Sequence, residues 1–372
     1  MRIAFDAHAI GSRLTGNETY ARNLLRALFL RSAGGAHEFV VYLKRVLPEG
    51  AIVPAGENAR FERILSDSRV RRLFLELPRA LRSDRPDVLH VQYVAPRRTR
   101  GVPVVASVHD ISFERHPEWF TRREHAGFRI LIPRTARRAA IVLALSEFTR
   151  NELLAEYALD PERVVTAPPG VGPEFFPRPD AEVEEALSRL GIGRPFVLAI
   201  GNVQPRKNLE RVVRAFLAVV EAKEFDGRLV LAGQAGHRGG EILESALRLG
   251  RGAVSATGYL PTDDLARLLT ACSAFVYPSL YEGYGLPVLE AMACGAPVVT
   301  SSTTSLPEAA GGAALLAPPS DENAIAIALK RVLTEPKLAM RLRTLGRERA
   351  ARASWDETAG IVLEAYSRAA GR

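Results

Sequence analysis

The chain has 372 residues, of which 47 per cent are hydrophobic and 25 per cent are charged, and its formal net charge is +8. It is long enough for two domains and has the composition of a globular protein, without the ~20-residue apolar run of a membrane-spanning helix. Its two cysteines predict neither a disulfide framework nor a metal site, and its N-terminus is expected to be a strand, not a signal peptide. These features predict a cytoplasmic protein with an anionic ligand, and no nucleic-acid partner is expected.

The first part of the chain alternates predicted strands with predicted helices. Its apolar runs are short and continuous, which is typical of a parallel sheet covered on both faces. Strands are expected at 2–6, 39–43, 88–93, 102–108, 140–145 and 163–166, and helices at 16–30, 69–82, 119–138 and 147–157. This alternation predicts a doubly wound α/β sheet.

Two places in this part are candidates for ligand contact. The loop after the first strand opens a helix at Gly16 and Asn17, where Asn17 is a candidate N-cap and a helix N-terminus can meet a phosphate or a sugar. The loop lacks G-x-G-x-x-G, so a dinucleotide-binding fold of the dehydrogenase kind is not supported. Taken alone, the loop is explained equally well by an ordinary turn. His109 follows the strand at 102–108, at the edge where parallel sheets bind ligands, and a structural hydrogen bond is the alternative.

Residues 119–138 combine six arginines with aromatic and aliphatic residues. Such a helix can lie on an anionic membrane surface, here the inner face of the membrane, or it can bury one face in the core and expose a solvated basic face. Pro133 is expected to kink or end the helix. The sequence leaves both explanations open.

A segment rich in proline and glycine, 167–173, predicts a boundary between domains at 1–172 and 173–355. A second alternation follows it. Strands are expected at 195–200, 229–232, 253–257, 273–277, 296–300 and 314–316, and helices from 209, at 240–249, from 263, and at 287–294, 320–333, 335–349 and 356–369. The second half is therefore also predicted to be a doubly wound sheet.

The loop at 201–208, GNVQPRKN, places cations where a strand ends and a helix begins. Gly201 leaves room for close approach of a ligand. Arg206 and Lys207 oppose the dipole of the following helix, and a bound diphosphate would explain that local cost. Two solvated loop cations are the alternative.

The stretch 275–300, FVYPSLYEGYGLPVLEAMACGAPVVT, predicts a strand, a glycine loop, a helix and a second strand. Gly283 and Gly285 let backbone N–H groups and the helix N-terminus approach a phosphate. Glu282 and Glu290 flank this turn. Because carboxylates repel phosphate but accept hydrogen bonds from sugar hydroxyls, the pair predicts a nucleotide-sugar, with sugar on both sides of a diphosphate.

The stretch YEGYGLPVLEAMACGAPVV and the PRKN loop closely resemble the donor-site motif of retaining glycosyltransferases of family 4. The resemblance spans nearly the whole chain and is weaker in the first half, at Gly16 and at VHD. It implies the GT-B fold, in which two doubly wound Rossmann-like α/β domains face an interdomain cleft. It also implies that a C-terminal helix, 356–372, packs back on the first domain.

The resemblance further implies roles for single residues. Glu290 would hold the nucleotide ribose, Glu282 and His109 would lie at the donor sugar, and Lys207 would bind the diphosphate. Asn202 stands where the family usually has an arginine, so Arg206 is expected to supply that charge. The other donor-binding residues implied are Gly16, Asn17, Gly201, Tyr259, Leu260, Gly283, Tyr284, Gly285 and Leu286.

The implied reaction is a retaining transfer without a cofactor. The leaving phosphate would take the acceptor proton, and a nucleophilic Glu282 is the less favoured alternative. Asp263 and Asp264 are adjacent and do not form the Asp-x-Asp of metal-dependent glycosyltransferases, so no metal is expected. The PRKN loop looks most like that of mannosyltransferases that use GDP-mannose, with a glycan or a lipid-linked acceptor.

Three other functions stay open from the sequence. A nucleotide-sugar epimerase of the same fold would also need acid and base groups around the sugar. A non-catalytic nucleotide-sugar-binding subunit would share the binding residues but have no turnover. A Rossmann oxidoreductase is less well supported, because its glycine fingerprint is missing.

Overall fold

The computed structural model describes residues 1–11, 15–44, 58–63, 68–236 and 238–371. The chain divides into two compact units. The first unit comprises Met1–Pro117, Thr121–Gly170 and Ser354–Arg372, and the second comprises Glu118–Phe120 and Val171–Ala353. Both units contain a parallel sheet with helical connections, which confirms the predicted α/β class.

Among the described residues of the first unit, seven parallel strands form its sheet. They are β1 (Arg2–Asp6), β2 (Glu38–Leu43), β3 (Ala59–Arg63), β4 (Val88–Gln92), β5 (Val104–Val108), β6 (Ile141–Ala144) and β7 (Val164–Thr166), in the order β3-β2-β1-β4-β5-β6-β7. The connecting helices are α1 (Thr15–Arg31), α2 (Arg69–Arg71), α3 (Leu77–Asp84), α4 (Ser112–Arg115), α5 (Arg122–Arg138) and α6 (Glu147–Tyr157). The central strands are buried along their whole length, which explains their continuous apolar sequences.

The described part of the second unit has six parallel strands. They are β8 (Phe196–Ile200), β9 (Arg228–Ala232), β10 (Val254–Gly258), β11 (Ala274–Tyr277), β12 (Val298–Ser301) and β13 (Leu315–Ala317), in the order β10-β9-β8-β11-β12-β13. The helices are α7 (Asp180–Leu190), α8 (Leu209–Glu221), α9 (Gly239–Leu249), α10 (Thr262–Ala271), α11 (Leu286–Ala293), α12 (Leu306–Ala310), α13 (Glu322–Thr334) and α14 (Pro336–Ala351). The strands and the apolar faces of α8, α9, α13 and α14 form one buried core cluster.

The last helix, α15 (Trp355–Ala369), belongs to the first unit and packs against α1. Ser354 caps it by accepting hydrogen bonds from the backbone N–H groups of Asp356 and Glu357. Tyr366 of α15 hydrogen-bonds His90 Nδ1 at 2.5 Å, and His90 Nε2 lies 2.8 Å from the hydroxyl oxygen of Ser107. His90 is therefore a core residue that ties β4 to β5 and α15.

Two helix boundaries differ from what the sequence alone suggests. Helix α1 begins at Thr15, so Asn17 lies inside its first turn and is not the N-cap. Of the two effects expected of Pro133, a kink or an end of the helix, the end does not occur, because helix α5 continues to Arg138. Proline removes one N–H and its intrahelical hydrogen bond, while the helix retains the bonds on either side. The hydroxyl of Thr135 also donates to the carbonyl of Leu131 at 2.9 Å.

Three local features differ from the sequence expectations. Residues 69–84 form two α-helices separated by a π-helical segment, Arg72–Glu76, instead of a single helix. Strand β3 has the sequence ARFER, which is too polar to be recognised as a strand. Helix α12 begins inside the segment expected to be a loop after β12. Among the described residues, no helix is long and apolar enough to cross a membrane.

Candidate functional site: a charged network at the edge of the second sheet

The candidate site of the second unit lies where two neighbouring strands end. Strands β8 and β11 pair in parallel, so the loops that follow them meet at the same edge of the sheet. The loop after β8 carries Arg206 and Lys207 in a short 3-10 turn, and the loop after β11 carries Glu282. The fold thus brings together three of the predicted residues from opposite halves of this unit.

Glu282 binds both cations. Arg206 Nη1 donates to Glu282 Oε2 at 2.7 Å, and Lys207 Nζ donates to Glu282 Oε1 at 2.6 Å. The side chains of Glu282 and Lys207 are 9 and 8 per cent exposed, and that of Arg206 is 26 per cent exposed. Burial alone would raise the pKa of Glu282, but Arg206 and Lys207 lower it to about 2, so the carboxylate is charged.

Tyr277, the last residue of β11, joins the same network. Its hydroxyl donates to Glu282 Oε1 at 2.9 Å and accepts a hydrogen bond from Lys207 Nζ, which lies 4.5 Å from the centre of the tyrosine ring. Sequence reasoning missed this residue, because a tyrosine in a short apolar strand has the same pattern as a core residue. The hydroxyl contact depends on two loops that only the fold brings together.

The backbone of the loop after β8 is fixed by polar contacts to other loops. Asn208 adopts a left-handed conformation at the end of the 3-10 turn, with φ of 62°. Its side-chain amide donates to the carbonyl groups of Pro278 at 3.0 Å and Pro319 at 2.7 Å. Gly201 has φ of +136°, and a Cβ there would stand 3.2 Å from Lys207 Cε. The absence of a Cβ at Gly201 therefore leaves the space that the Lys207 side chain occupies.

The glycine turn leads directly into helix α11. Gly285 has φ of +107°, and a Cβ at this position would lie 2.6 Å from Leu306 Cδ2, so a larger residue would be both strained and crowded. Helix α11 begins at Leu286, one residue before the expected start at Pro287. The hydroxyl of Ser305 donates to the carbonyl of Glu282 at 2.8 Å and fixes the entry to the turn.

Tyr284, between the two glycines of this turn, has a side chain that points into the protein interior. The side chain is buried, and its hydroxyl accepts a hydrogen bond from Arg349 Nη2 at 3.2 Å. The backbone of Gly283, Tyr284 and Gly285 follows the end of β11, next to Glu282. Because the Tyr284 side chain is buried, only the backbone of this residue is placed to contact a ligand at the turn.

Glu290 lies inside helix α11 and is 9 per cent exposed. Burial and the neighbouring charge of Glu174 raise its pKa to about 8, although Lys207 acts in the opposite direction. In the free protein the Glu290 carboxyl group is therefore mostly protonated at neutral pH. A neutral carboxyl can both donate and accept a hydrogen bond, which suits a hydroxyl group.

Tyr259 and Leu260 follow β10, at the outer side of the same sheet edge. Tyr259 is 57 per cent exposed and Leu260 is half-buried. In the strand order, β10 is separated from β8 by β9, so the two loops start about 10 Å apart. These residues and the charged network thus mark two positions along one edge.

The first unit carries His109, Gly16 and Asn17. His109 follows β5 and is 7 per cent exposed, with its ring centre 4.6 Å from that of Tyr20. Burial lowers the pKa of His109 to about 3, so its imidazole is neutral. Gly16 is exposed and Asn17 is half-buried in the first turn of α1, and a Cβ on Gly16 would meet nothing within 4 Å among the described atoms.

Gln92, which ends β4 at the carboxyl edge of the first sheet, is a polar residue that sequence reasoning missed. It pairs with Ser107 of the neighbouring strand and is 3 per cent exposed. Neither its amide nitrogen nor its amide oxygen has a hydrogen-bond partner among the described residues, and the same holds for His109 Nε2. Buried groups of this kind are rare in folded proteins. A glutamine at the end of the apolar run VLHVQ was the available signal.

The described residues contain no group of three or more His, Cys, Asp or Glu side chains arranged to hold a metal ion. Asp263 and Asp264 instead pair with arginines. Arg178 donates to Asp263 Oδ1 at 2.7 Å, and Arg189 donates to Asp264 Oδ1 at 2.6 Å.

Comparisons with known proteins show the family of the chain. The family description "Glycosyl transferases group 1" matches residues 183–349, and "Glycosyltransferase Family 4" matches residues 14–175. The O-antigen chain mannosyltransferase B of Escherichia coli is 32 per cent identical over 264 residues, which are 70 per cent of this chain and 69 per cent of that protein. The chain therefore belongs to the glycosyltransferases of family 4, which confirms the resemblance seen in its motifs.

Further relatives differ in how much of them the chain covers. The serotype-specific mannosyltransferase WbdA of Escherichia coli is 31 per cent identical over 62 per cent of this chain, but the chain spans only 29 per cent of it. The MMP alpha-(1->4)-mannosyltransferase of Mycolicibacterium hassiacum is 30 per cent identical over 73 per cent of this chain and 67 per cent of that protein.

Solved structures show the fold. A sucrose-phosphate synthase from Thermosynechococcus elongatus aligns with a TM-score of 0.77 at 22 per cent identity, over 98 per cent of both chains. The glycosyltransferase WaaG, involved in lipopolysaccharide biosynthesis, aligns with a TM-score of 0.73 at 19 per cent identity, over 97 per cent of this chain and 98 per cent of that one. The expected GT-B fold is confirmed.

Proposed function

We propose that the protein is a retaining, metal-independent glycosyltransferase that moves mannose from GDP-mannose to a glycan or lipid-linked acceptor during polysaccharide biosynthesis. One observation carries the proposal. Two cations converge on Glu282 beside a glycine turn that opens a helix, at the carboxyl edge of a parallel sheet. Ligands of such folds bind at this edge, and a diphosphate fits the charges that meet there.

Each part of the network has a separate task. Arg206 and Lys207 bind the diphosphate, together with the backbone of the 283–285 turn and the N-terminus of α11. Glu282 faces the sugar, and Glu290 accepts or donates a hydrogen bond at the ribose.

Gly201 leaves space for Lys207, and Tyr259 and Leu260 contact the base, about 10 Å along the sheet edge from the cations. His109, with Gly16 and Asn17, contacts carbohydrate hydroxyls in the first unit.

These residues favour transfer because negative charge develops on the leaving group. The bond between the sugar C1 and the phosphate oxygen breaks, and a new bond forms from C1 to the acceptor oxygen on the same face of the ring. The acceptor proton passes to the leaving phosphate oxygen, so no separate base is needed. Two fixed cations stabilise the nucleoside diphosphate, and preorganised donors of this kind contribute ~3 kcal/mol each.

The proposal of GDP-mannose as donor is supported by the names of the relatives. The O-antigen chain mannosyltransferase B and WbdA are both named as mannosyltransferases. Other relatives are named as an alpha-maltose-1-phosphate synthase and a D-inositol 3-phosphate glycosyltransferase, so the donor has to be tested within a panel.

The test is a transfer assay with GDP-mannose, UDP-glucose and ADP-glucose, each with and without a mannose-terminated lipid-linked acceptor. We expect transfer from GDP-mannose that persists in EDTA, and an α-linked product by NMR, because the donor is α-linked. A β-linked product would contradict retention. Isomerised donor in the acceptor-free reaction would indicate an epimerase, and binding without turnover would indicate a non-catalytic subunit.

We also propose that the protein contacts an anionic membrane surface through residues 119–138. Helix α5 exposes Arg122, Arg123 and Arg134, and Ile130 is 51 per cent exposed on the same helix. Basic and apolar groups on one helix favour binding to anionic lipid.

We expect the protein to sediment with phosphatidylglycerol vesicles at low salt, and its R122A/R123A/R134A variant to sediment several-fold less. Removing three exposed arginines of the second unit, in R341A/R347A/R352A, is the charge-matched control and is expected to retain binding. Equal losses in both variants, or equal binding to neutral vesicles, would contradict a specific role of α5.

A further inference from the structure

The hydroxyl group of Tyr277 links the two residues that are proposed to act on different parts of the donor. Lys207 is proposed for the diphosphate and Glu282 for the sugar. We propose that Tyr277 is a positioning residue of the donor site, whose hydroxyl group fixes the spacing between the Lys207 ammonium and the Glu282 carboxylate. This inference rests on the proposed function of the same site.

The hydrogen bonds of Tyr277 have a defined direction. A lysine ammonium has only donors and a carboxylate has only acceptors, so the phenol must accept from Lys207 and donate to Glu282. The bond to Glu282 Oε1 is 2.9 Å long, and Lys207 Nζ reaches both the phenol oxygen and the same carboxylate oxygen. The three groups therefore form a closed triangle in which each contact restrains the other two.

Tyr277 is the rigid corner of this triangle. Its backbone pairs with Thr300 of β12, whose hydroxyl donates to the Tyr277 carbonyl at 2.9 Å. The ring stacks on Phe275 with centres 5.7 Å apart, and the residue is 3 per cent exposed. Lys207 and Glu282 lie on loops. A strand residue packed in this way gives both loop residues a common fixed point.

The hydroxyl also stays protonated while the ligand changes. Burial, followed by the charge of Glu282, raises the pKa of Tyr277 well above its usual value. An incoming diphosphate competes with the Glu282 carboxylate for Lys207, because both are anions. The neutral phenol is not repelled by phosphate, so its bonds to the ammonium and the carboxylate can persist as the charges rearrange.

A purely structural tyrosine would act through its ring. Tyr277→Phe retains the ring, its stacking on Phe275 and its contact with the Lys207 ammonium, and removes the hydroxyl alone. The substitution therefore separates packing from positioning. A nucleoside diphosphate needs the cations but lacks the sugar, whereas transfer needs the cations and Glu282 at the correct separation.

The experiment compares product binding with transfer in wild type and Tyr277→Phe. GDP, UDP and ADP are titrated by calorimetry, and kcat and KM are measured with the active donor. We expect the dissociation constant of the bound diphosphate to change less than threefold while kcat falls at least tenfold. Tyr157→Phe is the matched control, because the Tyr157 hydroxyl donates to a carboxylate oxygen of Glu114 at 3.2 Å in the first unit.

Two results would overturn the positioning role. An unchanged kcat in Tyr277→Phe would show that the hydroxyl has no function in transfer. Equal losses of kcat and of diphosphate affinity would show that the site as a whole is disturbed. If wild type binds none of the three diphosphates, that result would instead contradict the proposed function itself, and the inference with it.

Discussion

At the carboxyl edge of the second sheet, charged side chains bind one another, whereas at the ends of β4 and β5 in the first sheet neutral polar groups are buried without partners among the described residues. Arg206, Lys207 and Glu282 satisfy each other in the second unit. In the first unit, the Gln92 amide and His109 Nε2 have no hydrogen bond in the described structure.

The difference follows from the cost of burial. An unpaired buried charge is far more unfavourable than an unpaired buried amide, which costs about 1–3 kcal/mol. The charged edge must therefore be neutralised within the protein before any ligand arrives. The neutral side chains at the ends of β4 and β5 can remain unsatisfied, and a polar ligand would find them ready to bind. The one buried carboxylate that ends a strand of the described part of this sheet, Asp6 of β1, is paired with Arg72. Four substitutions, in three tests, probe this contrast, from the largest expected effect to the smallest.

Lys207→Ala and Glu290→Ala should have the largest effects. Each is expected to lower donor binding and transfer at least tenfold, which corresponds to about 1.4 kcal/mol. The lysine variant also leaves the buried Glu282 carboxylate with one cation fewer, so its melting temperature should fall. Titration calorimetry and thermal unfolding measure the two effects.

The control for the lysine is Lys330→Ala, which breaks an exposed ion pair with Glu224 at 2.7 Å. Exposed pairs contribute little, so this variant should bind the donor normally and unfold within a degree or two of wild type. Near-normal donor binding in both Lys207→Ala and Glu290→Ala would show that the charged edge is not the donor site.

Glu290→Gln should change how stability depends on pH. The pKa of Glu290 is about 8 in the folded protein, against 4.5 for an ordinary glutamate side chain. Between these values the folded state holds a proton that the unfolded chain has lost, so stability falls as pH rises from about 4.5 to about 8. Glutamine does not titrate, so the variant should lose less stability than wild type over this range.

Thermal unfolding at pH 5 and pH 8 gives the change in melting temperature between the two pH values. This change is then compared between wild type and Glu290→Gln. The exposed Glu241→Gln substitution controls for the loss of one surface carboxylate. An identical fall in melting temperature in wild type and Glu290→Gln would contradict a raised pKa at Glu290.

Gln92→Met should have the smallest effect on stability. It removes an amide whose two polar atoms have no described partner and retains a side chain of similar length. We expect a melting temperature that is unchanged or slightly higher, because no hydrogen bond is lost. Differential scanning calorimetry of the ligand-free protein is the measurement.

The comparison for Gln92 is His90→Phe, on the same strand two residues earlier. Both ring nitrogens of His90 have partners, Tyr366 and Ser107, so this substitution should lower the melting temperature clearly. A loss of stability in Gln92→Met as large as that in His90→Phe would mean that the amide is satisfied in solution, and the contrast between the two edges would fail.

The sequence predicts the parts of this molecule whose signal is local. The stretch 275–300 contains its own strand, glycine turn and helix start, and all three are present in the fold. The cations of the PRKN loop and the carboxylate of Glu282 are likewise recognisable from residue type and spacing. The alternation of strands and helices predicts both sheets.

The sequence does not predict contacts between residues that are distant along the chain. Tyr277 meets Lys207 across 70 positions, and nothing in the apolar run before Pro278 distinguishes its hydroxyl from a core ring. The ion pairs of Glu282 with Arg206 and Lys207 depend on the pairing of β8 with β11. The position of Asn17 inside α1, instead of at its cap, also depends on where the helix begins in the fold.

The most direct test of the central claim is a crystal structure of the protein with GDP-mannose. We expect phosphate oxygens within about 3 Å of Lys207 Nζ and of the Arg206 guanidinium, with the diphosphate against the 283–285 turn. A donor bound elsewhere, with both cations still paired to Glu282 as in the free protein, would contradict it.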